Sequence, residues 1–246
     1  MPETVYIYDM SRFIFCFFFI SLSCFGQTKS TISGKNVLLV WGGWEGHQPE
    51  LFTEIVTEWL YKENANFQVI EGLGAYDDLE KLMEYDLIIQ SVTQSELSIN
   101  QEYNLIEAVK SGVSIAGAHG GLVDAFRKST NYQFMIGGQW VAHPGGLVEF
   151  EIEILEDKLT TEIQNFSIKT EQYYMHFDPN IEIIAQTRFS GEHSKWIEDV
   201  VMPVAWKKSY GKGKVFFISV GHDPNEFINY PQAWKLLTNG FTWAAN

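Results

Sequence analysis

Apolar and polar residues follow one another in an ordered way along the first half of the chain. Four short runs are almost continuously apolar, as expected of strands that are buried on both faces of a sheet. These predicted strands are Asn36–Val40, Phe67–Ile70, Leu87–Val92 and Val113–Ala116. Each is too short for a helix of ordinary length, so the pattern favours strands.

The segments between these runs have helical periodicity. From Leu51 to Leu60 apolar side chains repeat at i, i+1, i+4, i+5, i+8 and i+9, which places them on one face of a helix. Shorter helices are predicted over Leu79–Met83 and around Leu105–Val109, the latter ending at Gly112. The resulting β-α-β-α-β-α-β order predicts a parallel sheet with helices on both faces.

The second half of the chain is richer in strands. Its pattern predicts a closing helix over Gln232–Ala244, and strands over Val148–Leu155, Phe166–Tyr174, Glu182–Thr187, Met202–Lys207 and Val215–Ser219. Since no linker, repeat or low-complexity segment interrupts the pattern, we expect one α/β domain over residues 27–246.

Residues 1–26 have the character of a signal peptide. The apolar run Phe13–Ser23 has the length of a signal-peptide core and is too short to span a bilayer. Translation from Met10 would give it a positive flank, and small residues precede Gln27 at the positions that cleavage requires. We therefore expect a periplasmic or secreted protein with no stable membrane insertion after processing. The alternative is a lipoprotein anchored at Cys24.

Cysteine content and charge exclude several classes of function. Both cysteines, Cys16 and Cys24, lie in the predicted leader, so the mature chain would have no disulfide, thiolate nucleophile or cysteine metal site. The formal net charge is −14, of which the leader contributes only Glu3, Asp9 and Arg12. A nucleic-acid partner is not expected, because the chain lacks the basic patches that such binding requires.

Four histidines lie in glycine-rich loops at predicted strand ends or before turns: His47, His119, His143 and His222. His119 is at the apex of Gly117-Ala118-His119-Gly120-Gly121, a strand-to-helix turn of the kind that raises a reactive side chain above a sheet edge. Converging histidines could bind a metal or share acid–base chemistry. Ordinary loop hydrogen bonds are the alternative for each of them, and His176 and His193 are weaker candidates.

Glu171 is the carboxylate that stands out. It lies within a predicted apolar strand, where a buried charge needs a partner and a raised pKa would suit a general acid or base. A strand-edge glutamate facing water is the alternative. Several tryptophans, Trp206 among them, could stack on a sugar ring, although tryptophan is more often a core residue.

These motifs together resemble the ThuA-like (trehalose utilisation) family of the class I glutamine amidotransferase-like superfamily. The resemblance spans Asn36–Ala245 and depends on the order of several short motifs. Besides the turn at His119 they are the glycine loop with His47, Gly137-Gly138 with His143-Pro144, Glu171-Gln172-Tyr173, Pro203-Val204-Ala205-Trp206, Tyr210–Val215, Gly221-His222-Asp223 and Trp243-Ala244.

The resemblance implies a flavodoxin-like three-layer sandwich with a mostly parallel sheet, and a link to disaccharide or ketosugar breakdown. In related amidotransferases the apex of the turn is a cysteine nucleophile. Since His119 stands there, we expect no glutaminase activity.

Our hypothesis is an exported enzyme that acts on a disaccharide or 3-keto-sugar by acid–base chemistry, as a hydrolase, lyase or isomerase. The predicted catalytic residues are His119 and Glu171, and the predicted sugar-binding residues are His47, His143, Tyr173, Trp206 and His222. A divalent metal is left open as a cofactor, with His47, His119, His143 and His222 as its candidate ligands. The alternative is a non-catalytic sugar- or metal-binding protein, and a homo-oligomer is also left open.

Overall fold

A computed structural model describes residues 31–246, so the predicted leader lies outside the described residues. Within them the chain forms eleven strands and seven helices. The strands are β1 (Asn36–Gly43), β2 (Asn66–Glu71), β3 (Leu87–Thr93), β4 (Ser114–Ala118), β5 (Gly138–Ala142), β6 (Leu147–Ile154), β7 (Phe166–Glu171), β8 (Tyr174–Phe177), β9 (Glu182–Arg188), β10 (Val201–Tyr210) and β11 (Gly213–Ile218). The helices are α1 (Pro49–Lys62), α2 (Leu79–Leu82), α3 (Ile99–Ser111), α4 (Gly120–Val123), α5 (Thr130–Ile136), α6 (Glu226–Asn229) and α7 (Pro231–Ala244).

Nine strands make one sheet in the order β2-β1-β3-β4-β11-β10-β9-β6-β7. The first five are mutually parallel, and each pairing from β11 to β7 is antiparallel. The strand-rich second half therefore extends the parallel sheet of the first half. The last strand of the chain, β11, lies at the centre of the sheet, between β4 and β10. Strands β5 and β8 form a separate two-stranded sheet.

Helices cover both faces of the large sheet, which confirms the predicted flavodoxin-like three-layer α/β fold. Alternating β1 side chains divide between two apolar cores, with Leu39 in one and Leu38 in the other. Helices α1 and α7 pack on the first face, and α3 and α5 pack on the second. Each fully buried leucine or phenylalanine contributes about 1.5–3 kcal/mol to stability.

The structure differs from the sequence prediction in one place that matters for the site. The strand predicted over Phe166–Tyr174 is broken, because β7 ends at Glu171 and β8 begins at Tyr174. Between them Gln172 turns inward and its amide donates a hydrogen bond to the Thr187 hydroxyl. The chain thus leaves the sheet directly after Glu171.

Three short elements, α5, β5 and α6, were not predicted. Helix α5 has only seven residues, too few for helical periodicity to be recognised. Its end signals are nevertheless present: the Ser129 side chain accepts a hydrogen bond from the Tyr132 N–H, and Gly137 ends the helix in the left-handed conformation. Similarly, a capping box of Ser98 and Gln101 starts α3 earlier than its apolar pattern indicates.

The parallel half of the sheet determines where a site can form. Strands β1, β3, β4 and β11 run in the same direction, so the loops that follow them meet at one edge. This is the edge at which open α/β folds bind ligands. The loops after β1, β4 and β11 carry His47, His119 and His222 respectively.

No helix among residues 31–246 is long and apolar enough to cross a membrane.

The contact between α7 and β11 gives a test of the core. A Cβ at Gly240 would lie 2.1–2.2 Å from three ring atoms of the buried Phe216. We expect Gly240→Ala to lower the free energy of unfolding by about 1–3 kcal/mol, the usual cost of overpacking. Gly74→Ala is the control, because its new Cβ would contact only a carboxylate oxygen of Asp77, at an ordinary 3.7 Å, and so should cause no overpacking. Urea unfolding of both variants checks this, and equal stability of the two would contradict the packing described.

Candidate functional site

The turn after β4 holds His119 in a strained backbone conformation. Its φ of 52° and ψ of −143° lie in a region that residues with a side chain rarely adopt. The His119 N–H donates a hydrogen bond to the Ile218 carbonyl at 2.7 Å, which continues the pairing of β4 with β11. The pairing of β4 with β11 at the centre of the sheet therefore maintains this strained conformation, as in the nucleophile turns of related architectures.

The glycines around His119 are required by close approaches. A Cβ at Gly120 would lie 2.4 Å from Cε1 of His47, and a Cβ at Gly121 would lie 2.9 Å from the Ser91 Cα. Any larger residue at Gly120 would push the His47 ring away from the turn. The glycine pattern thus permits two histidines from different loops to meet.

Four side chains converge at this edge of the sheet: His47, His119, His222 and Glu171. One nitrogen or carboxylate oxygen from each lies within 4.8 Å of those of the others. Nε2 of His119 is 3.1 Å from Oε2 of Glu171, and Nδ1 of His222 is 3.3 Å from the same oxygen. His119 and Glu171 are buried, whereas His47 and His222 are half-buried.

The protonation of His119 follows from its hydrogen bonds. Nδ1 lies 2.7 Å from the Ser219 carbonyl oxygen, which can only accept, so Nδ1 carries a hydrogen. In a neutral ring Nε2 is then an acceptor, yet it faces the Glu171 carboxylate, which is also an acceptor when ionised. The contact therefore needs either an additional proton or a cation shared by the two groups.

The remaining histidines of the cluster have contrasting pKa values. Burial, together with the nearby His119 and His222, lowers the pKa of His47 to about 3, so this ring is neutral near pH 7. Its Nδ1 contacts the Thr93 hydroxyl at 3.1 Å. The Glu171 carboxylate raises the pKa of His222 above its usual value.

The expected raised pKa of Glu171 is wrong. Burial does push the pKa of this carboxyl upward, but His119 and His222 more than offset that effect, and the pKa is well below its usual range. Glu171 is therefore ionised at neutral pH. A sequence pattern reveals that a carboxylate is buried, but it does not reveal which cations surround it.

The predicted residues His143 and Tyr173 adjoin the cluster, and the partly exposed rings of His143, Trp140 and Trp44 mark its opening to solvent. Nε2 of His143 lies 3.6 Å from the second oxygen of Glu171, and the Tyr173 ring stacks on His119 with centroids 4.2 Å apart. Trp140, which is half-buried, lies 5.7 Å from His143 between ring centroids. The exposed Trp44 packs edge-on against His47 at 4.7 Å. The opening is thus rich in flat aromatic faces.

Sequence reasoning did not identify Arg127 or Thr93. The Arg127 guanidinium lies 4.7 Å from the centre of the Trp140 ring and is held by a two-point ion pair with the buried Asp124. No motif pointed to this arginine, because its partners come from a short helix end and an unpredicted strand. Thr93 is the last residue of β3. Its position at the end of a parallel strand was the only feature of the sequence that could have indicated a place in the site.

Trp206 does not lie in the site, which corrects the prediction that it binds sugar. Its side chain is fully buried, its ring packs against Phe217 at 4.3 Å, and its indole N–H donates to the Ile136 carbonyl. A ring enclosed in this way has no face left for a ligand. The two weaker histidine candidates are both exposed and outside the cluster, His176 on β8 and His193 in the loop after β9.

Comparison with known proteins relates this geometry to a family. A family model described as ThuA, trehalose utilisation, matches residues 36–244. A ThuA-like protein from Bacteroides uniformis has a TM-score of 0.71 at 16% identity, over 88% of this chain and 93% of that one. A ThuA-like protein from Parabacteroides merdae has a TM-score of 0.66 at 15% identity, over 87% and 91% of the two chains.

A β-galactosidase from Bacillus circulans sp. alkalophilus is also similar, with a TM-score of 0.57 at 12% identity over 86% of this chain and 30% of that chain. At such low identities these structural likenesses establish the fold alone. No curated protein sequence matches this chain.

The position of Trp206 can be tested by truncation. We expect Trp206→Ala to lower the free energy of unfolding by about 3–5 kcal/mol, the usual cost of removing a large buried side chain. Trp196, which is 85% exposed, provides the matched control, and Trp196→Ala should change stability by less than about 0.5 kcal/mol. Urea unfolding measures both. A small effect at Trp206 would make it a ligand-binding candidate again.

His47 gives a pH-dependent prediction for protein treated with a chelator. The pKa of this ring is about 3 in the folded state against an ordinary value of 6.5. Between these two pH values the unfolded chain therefore binds a proton that the folded chain does not bind. This contribution to stability is full above pH 6.5 and is lost as the pH falls towards 3. Between about pH 7.5 and about pH 4.5 the wild type should lose more unfolding free energy than His47→Gln. His176→Gln is the control, because it changes an exposed histidine outside the cluster and should lose as much unfolding free energy as the wild type. An equal loss in the wild type and in His47→Gln would contradict the burial of a neutral His47.

Proposed function

This chain belongs to the ThuA (trehalose utilisation) family, and we propose that it is an exported enzyme that processes a disaccharide or a 3-keto-sugar. The family gives it a carbohydrate-related role. Export is proposed from the leader-like residues 1–26, with a lipoprotein anchored at Cys24 as the alternative form. The substrate class is proposed from the family and from the chemistry of the cluster.

One observation carries the proposal of catalysis: a buried, ionised carboxylate lies within 3.6 Å of three histidines at the ligand-binding edge of the sheet. Such a concentration of titratable groups in one place is costly for folding and is typical of sites that transfer protons. The aromatic faces of Trp44 and Trp140 at the opening suit the flat apolar side of a sugar ring. The polar cluster suits its hydroxyl or carbonyl groups.

The residues of the cluster would have different roles in catalysis. Both nitrogens of His119 are engaged, one by the Ser219 carbonyl and one by Glu171, so this ring would orient the carboxylate. His143 and His222 are more exposed and would exchange protons with the substrate. Glu171, ionised beside them, would stabilise the imidazolium that forms when a histidine takes up a proton, as the aspartate of a catalytic triad does.

A 3-keto-sugar suits this arrangement because its carbonyl acidifies the hydrogens on the neighbouring carbons. A histidine would remove one of these protons, and the negative charge would move to the carbonyl oxygen. Return of the proton at another position would complete an isomerisation, whereas loss of the group on the next carbon would complete an elimination. Glutaminase chemistry is not proposed, since the turn carries His119 where a thiolate nucleophile would be needed.

The proposal is tested by turnover. Protein beginning at Gln27 is incubated with trehalose or with its 3-keto derivative, and the products are identified by mass spectrometry. We expect conversion of the keto-sugar, with kcat/KM lowered at least about 100-fold in His143→Gln and in Glu171→Gln. His176→Gln, which changes an exposed histidine outside the cluster, should retain full activity.

Conversion that is equal in wild type and in both cluster variants would overturn the assigned roles. If neither sugar is converted but the keto-sugar raises the melting temperature, the protein is a non-catalytic sugar-binding protein. Absence of both conversion and thermal stabilisation would reject this substrate class.

A further inference from the structure

We propose that His47, His119, His222 and Glu171 bind one divalent transition-metal ion. This inference goes beyond the proposed function and does not depend on it, since a metal could be held by a catalytic or a non-catalytic protein. It is based on three features of the cluster, namely the spacing of its atoms, the direction in which its ring nitrogens point, and a buried nitrogen without a hydrogen-bond partner.

The distances in the cluster are those of ligands around a shared ion. Zinc bonds of about 2.0–2.1 Å in a tetrahedral site place neighbouring ligand atoms about 3.3 Å apart. The contacts of Glu171 with His119 and His222 are 3.1 and 3.3 Å. A charge-assisted hydrogen bond would be shorter, at about 2.7–2.9 Å. All four ligand atoms lie within 4.8 Å of one another, so small side-chain movements would complete the set.

Two of the rings are oriented as metal-binding histidines usually are. Such a histidine donates its other ring N–H to an outer partner, often a backbone carbonyl, and this fixes the lone pair on the metal side. His119 donates from Nδ1 to the Ser219 carbonyl, so that its Nε2 points into the cluster. His47 makes the equivalent contact from Nδ1 to the Thr93 hydroxyl at 3.1 Å.

His222 provides the third feature. Its Nδ1 is a buried atom that makes no hydrogen bond within the described residues, although it lies 3.3 Å from Glu171. A buried polar nitrogen without a partner is unfavourable, and native structures rarely contain one unless an ion or a water molecule serves as the partner. An ion between His222, Glu171 and the Nε2 of His119 would be a bonding partner for all three groups.

The ligand set indicates the kind of metal. Three imidazole nitrogens and one carboxylate oxygen suit Zn²⁺ and its first-row neighbours, whereas Mg²⁺ and Ca²⁺ prefer all-oxygen sites. His143 would stand beside the ion as an outer group, 3.6 Å from the second carboxylate oxygen of Glu171. With the ion bound, His119, His222 and Glu171 would all be ligands, so that of the two histidines proposed to exchange protons with the substrate only His143 would remain free to do so.

The test measures metal binding without any sugar. Protein beginning at Gln27 is stripped with a chelator and titrated with Zn²⁺ by calorimetry. We expect one equivalent to bind. His222→Ala and Glu171→Gln should weaken binding at least about 100-fold, since each removes a ligand, and Thr93→Val should weaken it about 10–100-fold, as loss of an outer-shell partner does. His176→Ala should bind as the wild type does.

Circular dichroism and melting of the metal-free variants show whether each is folded. Should a ligand variant unfold, the visible absorption of Co²⁺ bound to the wild-type protein, and its loss on addition of Zn²⁺, still tests the site. Failure of Zn²⁺ to bind the wild type, or equal binding by wild type and His222→Ala, would overturn the proposal. Because turnover is measured separately, failure of the sugar assay leaves this result unaffected.

Discussion

The burial of the Glu171 carboxylate is the constraint around which this site is organised. An ionised carboxylate that is 8% exposed is tolerated only if cationic or hydrogen-bonding groups surround it. His119 and His222 come from loops after the parallel strands, whereas Glu171 itself ends β7 at the far, antiparallel edge of the sheet. The chain leaves the sheet directly after Glu171, where the predicted strand is broken. Tyr173, two residues later, packs on His119 as a consequence of the same turn.

The parallel sheet could be predicted from the periodicity of apolar residues, whereas the residues that surround the buried carboxylate could not. The parallel half follows from four apolar runs and the helices between them, and the strand ends place His47 and His119 at one edge without reference to any structure. The involvement of His143, Glu171 and His222 came from local composition and from the family resemblance. The position of His222 beside His119 depends on β11 pairing with β4, which no local pattern specifies.

What the sequence could not provide is the electrostatic surroundings of each group. Glu171 has a lowered pKa because two histidines from distant loops face it. Trp206 is a core residue because the end of α5 and the start of β5 cover the face of β10 on which it lies. Arg127 reaches the opening only through its ion pair with Asp124 and its contact with Trp140. Apart from the Arg127–Asp124 ion pair, which joins residues three apart, these contacts arise from long-range packing, so composition and periodicity do not reveal them.

The central position of β11 has a consequence for biosynthesis. This strand is the last of the described chain to be made, yet it joins β4 to β10 in the middle of the sheet. Until β11 pairs with both of its neighbours, β4 and β10 each lack a partner on one side. Exposed strand edges of this kind favour wrong pairing and aggregation, so the newly made chain should depend on chaperones for longer than its size alone would require.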